Sequence, residues 1–174
     1  MDLSIDRVAS PIGTVLLVAD GTSLVSLDFE GYEPRLHALL AKRYGTAYRL
    51  VETCDPLGIS GRIAAYFAGD AAGLDKIPVE TGGTDFQRAV WLGLRQIPSG
   101  AVMSYGALAA SLGRPKASRA VGYANSLNPI AIVLPCHRVI GSNQSLTGYA
   151  GGLDRKQWLL AHERALAQGE LPYS

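Results

Sequence analysis

Along the first third of the chain the apolar positions alternate with polar ones in short runs. LSIDRVAS (residues 3–10), GTVLLVAD (13–20) and SLVSLDFE (23–30) are rich in β-branched and aliphatic residues. Pro11-Ile12-Gly13 and Asp20-Gly21-Thr22 separate them as turn signals, so the pattern predicts an antiparallel meander. EPRLHALLAKRY (33–44) then changes period. A proline lies in its first turn, and Leu36, Leu39, Leu40 and Tyr44 share one helical face. ISGRIAAYFAG (59–69) predicts a second, shorter helix ended by Gly69.

Around VETGGTDF (79–86) the character changes again, which sets a domain boundary near Gly82–Gly83 and predicts domains 1–81 and 82–174. Thr84 with Gln87 forms a capping-box pattern. Phe86, Val90, Leu94 and Ile97 mark the apolar stripe of the helix that follows, stopped by Pro98 and Gly100. Ser104 is a good N-cap for a helix through Tyr105, Leu108, Ala109 and Leu112, closed by Gly113. Pro115 is expected in the first turn of the next helix, which runs through Ala117, Ala120, Val121 and Ala124. The pair reads as a helix-turn-helix. AIVLP (131–135) is expected to be a buried strand that ends by presenting Cys136, His137 and Arg138. DRKQWLLAHERAL (154–166) reads as the last helix.

Composition adds limits. The chain has 174 residues, 48% hydrophobic and 18% charged, enough for one good-sized domain or two small ones. No stretch has the length and apolarity of a bilayer-spanning helix, and the N-terminus lacks a signal-peptide pattern, so a cytoplasmic protein with no membrane partner is expected. Two cysteines are too few for a disulfide framework, and Cys54 is expected to be a small buried hydrophobe. His37, His137 and His162 are scattered, so no metal site and no cofactor is expected. His37 and His162 are read as structural.

The net charge of +1 conceals a polarity. Residues 1–85 carry twelve acids and seven bases, whereas residues 86–153 carry six bases and no acid. Such a stretch fits a polyanionic partner. The second helix of the pair is poor in the Asn, Gln, Lys and Arg side chains that read major-groove edges. It offers Ala117, Ser118, Arg119, Gly122 and Tyr123. Small residues allow close approach to a narrow groove, and Arg119 is placed to insert a long cation there.

A catalytic thiol needs a neighbour that ionises it and a pocket to face. His137 supplies a base beside Cys136, directly or through a water, and Glu163 is in position to orient that histidine. NPIAIVLPCHRVIG, SYGALA, GRPKASRAVG, TGYAGG and WLLAHE, spread over residues 84–164, together resemble the O6-alkylguanine-DNA alkyltransferases, the methylated-DNA–protein-cysteine methyltransferases. The resemblance is specific in the C-terminal half and rests on order and size in residues 1–80. It implies an α/β (α+β) fold, with a ribonuclease-H-like N-terminal domain and a mostly helical, winged-helix-like C-terminal domain.

The resemblance further implies that Cys136 accepts the alkyl group in one irreversible turnover, that His137 deprotonates it through a water, and that Glu163 holds His137. Tyr105 would donate to N3 of a flipped guanine. The Ala150 amide would meet guanine O6 within the loop that carries Tyr149, and the Cys136 and Val139 carbonyls would accept from the exocyclic amine. Arg119 would be the arginine finger, and Asn128 would tie the recognition helix to the active-site loop. Arg114, Lys116, Ala117, Ser118, Gly122 and Tyr123 would contact DNA, Tyr123 being bulkier than its neighbours. The expected partner is double-stranded DNA containing O6-alkylguanine, with O4-alkylthymine also a substrate. A monomer is expected, and cooperative assembly on DNA is left open.

Other classes fit less of the chain. A transcription regulator explains the charge map but not PCHR. A non-catalytic damage sensor of the same family lacks the cysteine, and the family's adaptive-response regulators carry an added cysteine-rich metal domain. A Cys-His hydrolase would turn over and ignore DNA.

Overall fold

The computed structural model describes residues 1–141, 146 and 148–167. It divides into two compact units, Met1–Gly82 with Pro129–Val133, and Gly83–Asn128 with Leu134–Ser174. The sequence reading had a single crossing at residue 81 and did not include the return of Pro129–Val133 to the first unit.

In the first unit, β1 (Asp2–Val8), β2 (Val15–Ala19) and β3 (Leu24–Phe29) form the antiparallel meander expected from their alternation. A further strand, β4 (Arg49–Glu52), pairs parallel to β1, giving the order β3-β2-β1-β4. β2 and β3 are buried at every position, because cover on both faces leaves no side for polar alternation. Helix α1 (Glu33–Tyr44) packs Leu36 and Leu40 against Leu3, Ile5, Leu16, Val18 and Val25, while Leu39 and Tyr44 stay partly buried at the rim. Beside β1 lies α2 (Ile59–Phe67), where Asp6 Oδ2 accepts from Ser60 Oγ at 2.6 Å and from the Asp55 amide at 2.9 Å.

Two expectations fail in this unit. Cys54 is exposed rather than buried, because it lies in the irregular link between β4 and α2. The segment expected to be a buried strand at 131–135 is buried, but it is not a strand. Ile130 makes one bridge to Leu27, and the chain then turns, with the Val133 amide donating to the Ala131 carbonyl at 2.8 Å. The central residue of that turn, Ile132, has φ 71°, a left-handed conformation that a β-branched residue adopts only under constraint. It is held by being buried, at a cost of about 1–3 kcal/mol.

The second unit is built on helices. Helix α3 (Asp85–Leu94) begins with the expected capping box. The Gln87 amide donates to Thr84 Oγ1 at 3.1 Å, and Gln87 Oε1 accepts from the Thr84 amide at 3.0 Å. Gly83 (φ 83°) lets the chain enter close beneath it, since a Cβ there would stand 2.7 Å from the Trp91 ring. Val90, Trp91, Leu94 and Ile97 are buried, and Trp91 Nε1 donates to the Ala124 carbonyl at 2.8 Å.

Two-residue strand β5 (Met103–Ser104) leads into α4 (Tyr105–Ser111), whose cap is Ser104 Oγ accepting from the Ala107 amide at 3.0 Å. Helix α5 (Ser118–Ser126) starts later than expected. Pro115 lies in the preceding turn, where the Ala117 amide bonds back to the Arg114 carbonyl at 2.9 Å, so it is not in the helix's first turn. Strand β6 (Val139–Ile140) pairs parallel to β5, and α6 (Leu153–Ala167) closes the unit.

Candidate active site

The backbone that presents Cys136 is set by a second tight turn. Pro135 has φ −81° and ψ 69°, and the Cys136 amide donates to the Leu134 carbonyl at 2.8 Å, an inverse γ-turn for which proline's fixed φ is suited. Cys136–Arg138 then form a 3₁₀ turn, and the chain passes directly into β6. Asn128 Nδ2 donates to the Leu134 carbonyl at 2.8 Å and Asn125 Nδ2 to the Cys136 carbonyl at 3.4 Å, so the end of α5 is tied to this turn by two buried amides. Asn128 was expected to do this; Asn125 was missed.

His137 and Glu163 are fully buried, and His137 Nε2 lies 2.8 Å from Glu163 Oε2. A carboxylate only accepts, so Nε2 carries the hydrogen that points at Glu163. Nδ1 is buried and has no hydrogen-bond partner among the described residues. Glu163 is fixed from its other side by Arg138, whose Nε donates to Oε1 at 2.8 Å and Nη2 to Oε2 at 2.9 Å. The third guanidinium nitrogen, Nη1, donates to the Ile97 carbonyl at 2.7 Å. Burial alone would push the Glu163 carboxyl up. The facing His137 and Arg138 more than reverse this and hold it well below the usual carboxylate range.

Arg138 therefore belongs to the interior, although the charge map counted it with the basic stretch. Arg88 is paired as well, with Asp85 at 2.5 Å. Arg114, Lys116 and Arg119 remain exposed along the α4–α5 turn and the start of α5, and among the described residues none of the three forms an ion pair with an acid. Arg114 lies over the Phe86 ring at 5.4 Å. Ala117, Ser118 and Gly122 are partly buried on α5, whereas Tyr123 is 68% exposed, an aromatic among small residues.

Tyr105 reaches this region through the β5–β6 pairing, in which Met103 faces Val139 and Ser104 faces Ile140. Tyr105 follows immediately and packs against Gly122, where a Cβ would meet its ring at 3.6 Å. Tyr105, Gly106, Ser118, Arg119 and Gly122 line one open cavity of about 420 Å³. Ala150 is exposed in the turn before α6, and the Tyr149 carbonyl accepts from the Gly152 amide at 2.9 Å. Thr147 of the TGYAGG motif lies outside the described residues.

The residue most clearly missed is Lys156. It is fully buried, and its Nζ donates to the Val139 carbonyl at 2.7 Å and the Gly148 carbonyl at 3.5 Å. Burial lowers its proton affinity and Cys136 raises it, leaving a value of about 8. A sequence signal existed, because Lys156, Leu159, Leu160 and Glu163 fall at i, i+3, i+4 and i+7 and so place two charges on an otherwise apolar stripe. His162 stacks on Trp158 with ring centroids 4.7 Å apart.

The sequence model for the DNA-binding domain of 6-O-methylguanine DNA methyltransferase matches residues 85–165. The methylated-DNA–protein-cysteine methyltransferase of Salmonella typhimurium is 52% identical over 160 residues, covering 91% of this chain and 94% of the relative. The crystal structure of Mycobacterium tuberculosis O6-methylguanine methyltransferase superposes with a TM-score of 0.77 at 37% identity, covering 99% of this chain and 96% of that one. A structure of that organism's OGT in complex with DNA gives the same TM-score at 37% identity, with coverage of 95% and 94%. A mixed α+β fold with a small sheet, a cysteine beside a buried histidine–glutamate pair, and these likenesses agree: the chain belongs to the methylated-DNA–protein-cysteine methyltransferase family.

Proposed function

We propose that this protein repairs alkylated DNA by moving the alkyl group of O6-alkylguanine, and of O4-alkylthymine, onto Cys136. The observation that carries the reading is the Cys136–His137–Glu163 arrangement, in which His137, the next residue after Cys136, has no partner on Nδ1 among the described residues while both Glu163 oxygens are engaged. The first unit, residues 1–82 with 129–133, acts as a ribonuclease-H-like supporting domain, and the second as a winged-helix-like domain that binds DNA and reacts. The protein works in the cytoplasm as a monomer that needs no cofactor. No helix among the described residues is long and apolar enough to cross a membrane.

The O6 carbon lies inside the base stack, so the nucleotide is rotated out at a cost on the order of a few kcal/mol. Arg114 and Lys116 hold phosphates, while Ala117, Ser118 and Gly122 let α5 approach the minor groove. Arg119 fills the gap left by the extruded nucleotide, and Tyr123 beside it sets how deeply the helix sits. The flipped guanine is held by the Ala150 amide at O6, next to Tyr149, and by the Cys136 and Val139 carbonyls at its exocyclic amine. The Val139 carbonyl already accepts from Lys156, which leaves its second lone pair for the base.

The Cys136 proton passes through a water to His137 Nδ1, and Glu163 steadies the imidazolium that forms. The sulfur lone pair forms the bond to the alkyl carbon as the C–O6 bond breaks. Its electron pair leaves on guanine, where Tyr105 supplies a proton at N3. Asn128 keeps α5 and the reacting turn in register. Among the described residues of the site none can attack the resulting thioether, so each molecule reacts once.

Stoichiometry tests this. With a tenfold excess of duplex containing O6-methylguanine, one methyl should leave DNA per protein molecule and no more. Continued turnover, or ester hydrolysis without DNA, would overturn the reading.

A further inference from the structure

Asn125 has no part in the chemistry above, and only one end of its amide is engaged. The residue is 6% exposed, and its Nδ2 donates to the Cys136 carbonyl at 3.4 Å. A carbonyl only accepts, so Nδ2 is the end that faces it and Oδ1 is turned away. Oδ1 is buried and has no hydrogen-bond partner among the described residues. A buried acceptor without a donor lowers stability, and an apolar residue of the same shape would avoid that loss. Helix α5 sets where this end lies. Trp91 Nε1 donates to the neighbouring Ala124 carbonyl at 2.8 Å, and Ser118, Gly122 and Asn125 fall at i, i+4 and i+7 on one face. Ser118 and Gly122 line the open cavity together with Tyr105. Asn125 thus extends the cavity face of α5 by one turn, as far as the carbonyl of the reacting cysteine.

We propose that Asn125 is a specificity residue, whose Oδ1 accepts from the exocyclic amine of the flipped O6-alkylguanine while Nδ2 holds the Cys136 carbonyl. This rests on the repair reading above. The chemistry of the lesion singles out the partner. Alkylation at O6 leaves guanine N1 without a hydrogen, so N1, N3 and N7 all accept, and the exocyclic amine is the one N–H donor on the base. Of its two hydrogens, one goes to the Val139 carbonyl. The other is shared between the Cys136 carbonyl and Oδ1, which the amide of Asn125 brings side by side. O4-alkylthymine carries no N–H at all, its N3 having lost a hydrogen in the same way. With that base Oδ1 stays unpaired, so the site favours guanine lesions.

The test compares duplexes in which the amine of O6-methylguanine is present or is replaced by hydrogen, as in O6-methylhypoxanthine. The parent should take methyl faster from the first. Asn125→Leu should narrow that ratio about fivefold or more, the worth of one hydrogen bond, and O4-methylthymine should gain on O6-methylguanine by a similar factor. A residue that merely ties α5 to the turn would slow all three alike. Unchanged ratios in Asn125→Leu would therefore overturn the proposal and leave the repair reading intact. A parent indifferent to the amine would overturn it too. Should Asn125→Leu not fold, unreactive Cys136→Ser protein decides. Its Asn125 side-chain amide resonances should differ between the complexes with the two purine duplexes, and identical shifts would overturn the assignment. A parent that takes methyl from none of the duplexes would remove the repair reading and this proposal with it.

Discussion

Replacing Arg138 with methionine removes one partner of a buried ion pair and keeps most of the aliphatic packing. Three hydrogen bonds go with it, two to Glu163 at 2.8 and 2.9 Å and one to the Ile97 carbonyl at 2.7 Å. Glu163 is then a buried carboxylate that keeps the His137 ring as a donor but has lost the guanidinium charge. Breaking such a pair from one side costs about 3–5 kcal/mol. The figure has a natural ceiling, because the carboxyl can take up a proton instead. From an ordinary value of 4.5, doing so at pH 7 costs about 3.4 kcal/mol, to which the lost Ile97 bond adds about 1. At pH 5 protonation is easier, so the deficit should narrow by about 2.7 kcal/mol. Urea unfolding followed by tryptophan fluorescence suits the question, because Trp91 and Trp158 both lie in the second unit. Adding Glu163→Gln to Arg138→Met should recover part of the loss, since both buried charges are then gone. A loss under about 1 kcal/mol at pH 7, or one equally large at pH 5, would refute this account of the triad.

Glu163 also fixes an acid limit. Its folded carboxyl is held below the unfolded 4.5, so the folded state binds fewer protons there. Its contribution is complete above 4.5 and is lost as pH falls through the lower folded value; Glu163→Gln should show a shallower decline of stability in acid. Tyr105→Phe should slow transfer by about a hundredfold, the cost of one missing donor to developing charge. On a duplex whose O6-methylguanine carries carbon in place of N3, the two proteins should react alike, and a persisting difference would remove Tyr105 from that role. Arg119→Ala should slow repair of duplex by about tenfold or more while sparing reaction with the free O6-alkylated base, because only the former requires a gap to be filled.

Local chemistry was legible in the sequence, and most of the non-local chemistry was not. The capping box of Thr84 and Gln87 is a contact between residues three apart, so spacing alone reveals it. The meander likewise follows from alternation and turn residues. β4 was missed because its four residues are mostly exposed and its partner, β1, lies more than forty residues away. AIVLP was over-read because an apolar run shows burial and not dihedral angles; nothing in the letters reports the left-handed Ile132. The pair of His137 and Glu163 could be anticipated from chemistry, since a catalytic imidazole needs an orienting acceptor. Arg138 could not. Its charge counted toward a nucleic-acid surface until the structure turned it inward onto Glu163. Lys156 was overlooked for the same reason, as a lysine reads as solvated until its surroundings are known.

The proposed chemistry converges on Cys136 Sγ. After incubation with duplex containing O6-methylguanine, protease digestion and mass spectrometry of the peptide spanning Cys136 test this most directly. The account predicts a gain of one CH₂ on Cys136, matched mole for mole by guanine restored in the DNA, with Cys54 unmodified. An unmodified Cys136 in protein whose DNA has been repaired would contradict it.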